Sequence, residues 1–155
     1  MSDAGVQAVV LGVGNEVMAD DGVGVHVLRR LREEWCDPRV AFIEAGTALA
    51  DALDLVPDGA DVVAVDAAEG GGAPGAVYRV GLDELASAQG VSLHERSLPQ
   101  MFAAAELGGA RFGKIIVLGI EPQDIRVGDA LSPPLERKLP AIIDAVRAEV
   151  AKLLD

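Results

Sequence analysis

Residues 9–31 of the chain read VVLGVGNEVMADDGVGVHVLRRL. An apolar, β-branched run gives way to Gly12 and Gly14, as a strand entering a tight turn would. From residue 22 to 35, Val23, Val27, Leu28, Leu31 and Trp35 then recur on one helical stripe, with Arg29, Arg30, Glu33 and Glu34 mostly outside it. Strand, glycine turn and helix open a βαβ unit, and that unit sets the class as α/β. The turn begins like a dinucleotide fingerprint, but Val17 stands where Gly-x-Gly-x-x-Gly needs its third glycine. Asp20 and Asp21 follow where a pyrophosphate would meet the helix, and they would repel it. Glu44, closing the next apolar run, can still imitate a ribose-binding carboxylate, so a nucleotide-binding regulatory module stays open as an alternative.

The remainder of the chain repeats the alternation. Residues 7–12 (QAVVLG), 39–45 (RVAFIEA), 60–67 (ADVVAVDA) and 114–120 (KIIVLGI) are short and nearly continuously apolar, which predicts strands covered on both faces. Residues 75–80 (GAVYRV), after the turn-rich EGGGAPG, predict an additional strand. Helices are expected over 22–35, 49–55, 99–107 and 133–154, the last opened by Ser132 as a cap with Pro133 in its first turn. The expected architecture is a three-layer α/β sandwich, a mainly parallel sheet between helices, with residues 1–155 forming a single domain. Ligands of such sheets gather at the carboxyl ends of the strands.

Composition narrows the partners. The 25 acidic and 13 basic residues give a formal net charge of −12, which repels nucleic-acid phosphates and anionic membrane surfaces alike. No apolar run reaches transmembrane length, and MSDAGVQ lacks the basic-then-apolar order of a signal peptide. The single cysteine, Cys36, has no partner for a disulfide or a Cys-based metal site. A cytoplasmic location is expected.

The acidic pair has a structural reading and a functional one. One aspartate at a helix start caps free amides; two in succession, flanked by Gly22 and Gly24, point to a closely packed backbone with one carboxylate aimed elsewhere. Asp20 is assigned as the cap and Asp21 as the working group. Asp66 closes a strongly apolar strand and is either a turn aspartate or a second carboxylate on the same sheet edge. His26 falls on the polar side of the first helix beside Arg30 and reads as solvated. His94, in GVSLHERSLPQ, lies in a loop where no core demands an imidazole. Two carboxylates and an imidazole make a ligand set for a divalent transition metal with positions left open; two carboxylates alone share a proton.

Taken together, LGVGNEVMADDGVGVHVLRRL, VVAVDAAEGGGAPG, SLHERSLPQMFAAAEL and VLGIEPQDIRVGDALSPPLERKLPAIIDAV resemble, in order and over nearly the whole chain, the [NiFe]-hydrogenase maturation endopeptidases. The resemblance implies a twisted sheet between helices, and cytoplasmic removal of a C-terminal extension from a hydrogenase large-subunit precursor after nickel insertion. It places Asp21, Asp66 and His94 at the three metal-contacting and catalytic positions, toward a nickel ion carried by the substrate rather than held permanently. Where family members show Asp-Gly-Gly-Thr this chain has Glu44-Ala45-Gly46-Thr47; Glu44, Gly46 and Thr47 are expected to contact substrate, and the departure bears on which hydrogenase is served. A metal-free aspartic mechanism shared by Asp21 and Asp66, and a chaperone that docks on the precursor without cleaving it, remain as alternatives.

Overall fold

The computed structural model describes residues 5–84 and 90–154. The strands are β1 (Ala8–Val13), β2 (Val40–Gly46), β3 (Asp61–Glu69), β4 (Val77–Gly81), β5 (Ser92–Leu93) and β6 (Ile115–Ile120). The helices are α1 (Val23–Glu34), α2 (Leu49–Leu53), α3 (Leu98–Leu107) and α4 (Pro133–Ala151). The sheet runs β2-β1-β3-β6-β4. β1, β2, β3 and β6 are parallel, and β4 closes one edge antiparallel to β6, which makes the sheet mainly parallel as expected.

Two apolar clusters, one per face, hold the layers together. Val10, Val63, Val65 and Leu118 face one side and meet Val27, Leu31, Leu135, Ile142 and Val146 of α1 and α4. Val9, Leu11, Val62 and Val117 face the other and meet Leu49, Leu53, Leu98 and Phe102 of α2 and α3. The alternation of neighbours between faces is the period-2 geometry of strands, and because both faces are covered the runs read as continuously apolar. β2 departs from that expectation. As an edge strand it leaves Glu44 exposed and Ala41 and Phe42 half-buried.

Three features shape the site. The chain leaves β1 toward β2 on one side, while β3 lies on the other, so the carboxyl ends of β1 and β3 flank a switch point of the sheet. β1 and β3 are paired from Ala8↔Asp61 only to Gly12↔Val65. β3 nevertheless runs on to Glu69 and pairs its last two residues antiparallel with β5, a strand that the sequence reading missed because it is only two residues long. Asp66 therefore lies within β3 and not at its end, one residue beyond the last rung shared with β1.

Gly24 explains how α1 reaches this edge. A Cβ there would collide with the carbonyl oxygens of Val65 and Val13, so only glycine lets the first turn of α1 sit directly on β1 and β3.

Candidate functional site

Asp20 and Asp21 occupy a 3-10 turn, Ala19–Gly22, between β1 and α1. Asp20 is fully buried and does not cap α1. Its carboxylate instead accepts four hydrogen bonds from the distant 123–132 segment: Gln123 N–H at 2.9 Å, Asp124 N–H at 2.9 Å, Ser132 N–H at 2.7 Å and the Ser132 hydroxyl at 2.6 Å. The assignment of Asp20 as a helix cap is corrected accordingly. Ser132 does stand at the N-cap position of α4, but its hydroxyl is given to Asp20 and not to the helix. Burial alone would raise the Asp20 pKa; the hydrogen bonds from Asp124, Ser132 and Gln123 outweigh it and hold the group ionised, below the ordinary carboxylate range.

Asp21 points the other way. Its Oδ2 accepts the Asn15 N–H at 2.9 Å, and its Oδ1 contacts His94 Nδ1. Gly14, with φ of 126°, makes this possible: a Cβ there would run into the Asp21 carbonyl oxygen. His94 follows β5 directly, and its N–H donates to the Ala67 carbonyl at 2.8 Å, so the strand extension past Asp66 is what delivers the imidazole. Asp66 is fully buried and accepts Ala67 N–H at 2.8 Å on Oδ1 and Glu95 N–H at 2.9 Å on Oδ2. Burial pushes its pKa up to about 7, against the pull of the Glu95 amide, and the neighbouring Asp21 charge adds to the rise.

Asp21, Asp66 and His94 thus line one cleft of about 50 Å³, together with Gly14, Asn15, Gly46, Thr47 and Glu95. They do not form a closed coordination shell. Asp66 has both oxygens on amides, and Asp21 is turned to His94; among the described residues no three His, Cys, Asp or Glu side chains stand ready to hold a metal ion.

The Glu44-Ala45-Gly46-Thr47 segment divides. Gly46 and Thr47 line the cleft, and the Gly46 carbonyl accepts the Gly14 N–H at 3.0 Å. Glu44 does not; its carboxylate takes Arg29 Nε at 2.7 Å and a second Arg29 nitrogen at 3.0 Å, while Arg29 also reaches Glu16 at 2.5 Å. His26 is corrected as well. It is half-buried, and its Nε2 is buried without a hydrogen-bond partner, so it is not a solvated surface residue. Asn15 and Glu95 were missed as cleft residues, although Asn15 sits in the Gly-Val-Gly-Asn turn that the sequence singles out.

Where a dinucleotide pyrophosphate would lie, at the start of α1, the chain puts the Asp21 carboxylate, which repels a phosphate. The family model for hydrogenase maturation protease matches residues 25–149. The hydrogenase expression/formation protein HupD of Thiocapsa roseopersicina is 31% identical over 142 residues, covering 88% of this chain and 64% of that one, so the chain spans a little under two thirds of that relative's length. The hydrogenase maturating endopeptidase HybD from E. coli shares the fold with a TM-score of 0.81 at 22% identity, covering 95% of this chain and 93% of that one. The hydrogenase 2 maturation peptidase from Thaumarchaeota archaeon SCGC_AB-539-E09 gives a TM-score of 0.67 at 27% identity, covering 93% and 97%. With the family model spanning most of its length, the chain belongs to the hydrogenase maturation protease family.

Proposed function

We propose that this chain is a cytoplasmic endopeptidase that removes the C-terminal extension from the nickel-loaded precursor of a [NiFe]-hydrogenase large subunit. The observation that carries the reading is the convergence of Asp21, Asp66 and His94 on one cleft at the switch point of the sheet, in a chain of this family. Nickel belongs to the substrate in this scheme, held by the precursor. There it polarises a carbonyl or lowers the pKa of a water. The chain's own part is to present the Asp21 carboxylate and His94 imidazole, already paired, at the cleft mouth, and to keep Asp66 at its floor as a group that holds a proton below about pH 7.

The same Asp66 shift is the one observation that favours a second reading, a metal-free aspartic mechanism in which Asp21 and Asp66 share a proton. His94→Ala separates the two: cleavage is lost under the first and retained under the second. The proposal itself is tested by incubating the chain with nickel-loaded and nickel-free precursor and reading the precursor's C-terminus by mass spectrometry. Cleavage of the loaded form alone is expected. Equal cleavage of both, or none of either, refutes it.

A further inference from the structure

Asn15 stands in the wall of the cleft with Asp21, Asp66 and His94, and three of its groups have defined partners. Its N–H donates to Asp21 Oδ2, and its carbonyl accepts the Met18 N–H at 3.1 Å. Its side-chain Oδ1 accepts the Val17 N–H at 3.1 Å, a turn in which an asparagine side chain stands in for backbone. That last bond settles which way the carboxamide faces. With the oxygen committed to Val17, the Nδ2 amine lies on the opposite side of the group, carrying two N–H donors. No acceptor for them is found among the described residues, and Nδ2 is not among the buried unpaired atoms, so the donors remain open to solvent.

Apart from the exposed Thr47 hydroxyl, most other polar groups of the cleft are acceptors or are already engaged. Asp21, Asp66 and Glu95 carry carboxyl groups, His94 Nδ1 is turned to Asp21, and the Gly14 N–H is taken by Gly46. A carbonyl oxygen that gains negative charge beside two carboxylates needs a donor, and a donor already fixed in direction is worth more than one that must reorganise. We infer that the Asn15 carboxamide donates a hydrogen bond through Nδ2–H to the oxygen of the scissile carbonyl, as a catalytic residue of the cleft. The inference rests on the endopeptidase reading above.

The step balances with groups already named. Water adds to the carbonyl carbon and gives up a proton to a cleft carboxylate, and the π pair moves onto the carbonyl oxygen, where Nδ2–H meets it. Collapse re-forms the C=O bond and expels the amine, which takes the proton back from the carboxylate. A new carboxyl terminus and a released peptide result. Asn15 neither gains nor loses a proton, so its contribution lies in the energy of the charged oxygen and grows from ground state to transition state.

The test compares parent, Asn15→Asp and Asn15→Ala on nickel-loaded precursor. Asn15→Asp keeps an oxygen for the Val17 N–H and removes both donors; Asn15→Ala removes the donors without adding charge. Loss of one such donor typically lowers kcat about 100- to 1,000-fold. We expect that loss in both variants, with KM within about threefold of the parent and thermal midpoints of Asn15→Asp close to it. Should Asn15→Ala melt early, Asn15→Asp decides alone, since its turn is preserved. Parental kcat in Asn15→Asp, or a loss confined to KM, overturns the inference. Absence of cleavage by the parent overturns the endopeptidase reading instead.

Discussion

Replacing Asp20 by asparagine should unfold the molecule far more easily than the same change one residue later. The Asp20 carboxylate is surrounded by donors alone: Oδ2 accepts from Gln123, Asp124 and the Ser132 hydroxyl, and Oδ1 from the Ser132 N–H. A carboxamide has one acceptor oxygen. In its better orientation that oxygen keeps the three contacts at Oδ2, and the amine is forced against the Ser132 N–H. The cost is one buried charge-assisted bond, about 1.5–3 kcal/mol, together with an orphaned buried donor, about 1–3 kcal/mol. A net loss of about 3–5 kcal/mol is a large share of the roughly 5–15 kcal/mol that holds a domain folded. With a urea slope of about 2 kcal/mol/M, the unfolding midpoint should drop by about 1.5–2.5 M. Asp21→Asn, which meets one amide and His94, should lose less than about 1 kcal/mol and keep its midpoint within about 0.5 M. The Asp20 pKa is depressed in the fold, so its contribution is present above the unfolded value of 3.8 and is lost as pH falls through the folded one. Equal midpoints for Asp20→Asn and the parent, or equal losses for the two asparagine variants, would refute this reasoning.

Asp66 should act in the opposite sense: its folded pKa is raised from 3.8 to about 7, so stability is full below the unfolded value and declines as pH rises toward 7, by up to about 1.4 kcal/mol per pH unit. Urea midpoints measured from pH 5 to 8 should slope downward in the parent and flatten in Asp66→Asn; identical slopes would contradict it. Asp21→Asn should abolish most precursor cleavage while keeping the circular dichroism of the parent, and full activity would remove Asp21 from the site. Gly24→Ala should fail to give a stable fold, because its methyl meets two strand carbonyls; a melting temperature within a few degrees of the parent would show that α1 can retreat. Arg29→Ala should cost no more than about 1 kcal/mol, since its pairs with Glu16 and Glu44 are exposed, and a double-mutant cycle with Glu44→Gln should show that coupling fading in high salt.

Which parts of this were legible follows from how local each signal is. The central strands and α1 announce themselves through runs of Val, Leu and Ile that must be apolar whatever the rest of the chain does. Gly22 and Gly24 announce a close approach, because glycines at a helix start weaken it unless something occupies the space of their Cβ atoms. The separate duties of Asp20 and Asp21 were legible as a division of labour, but the partner of Asp20 was not. Its donors lie more than a hundred positions away, in a segment with no periodicity to mark it. β5 escaped for a similar reason: two residues carry no pattern, and their strand character exists only because β3 overruns β1. Glu44 looked like a cleft residue from its place at a strand end, yet the period-2 alternation of an edge strand turned it outward to Arg29.

The cleft has room for only a few water molecules. In the proposed endopeptidase, a volume so small would act as a filter on what can be cut. Under the endopeptidase proposal, so small a space beside Asp21, Asp66 and His94 favours a narrow, extended stretch of main chain or a single coordinating group. Under that proposal, affinity would come from surfaces outside the cleft, where the precursor would meet the loops around it, and not from reading a peptide sequence within. A peptidase built in this way would spare the flexible tails of its neighbours, because a loose peptide has nothing with which to hold itself in place long enough to react.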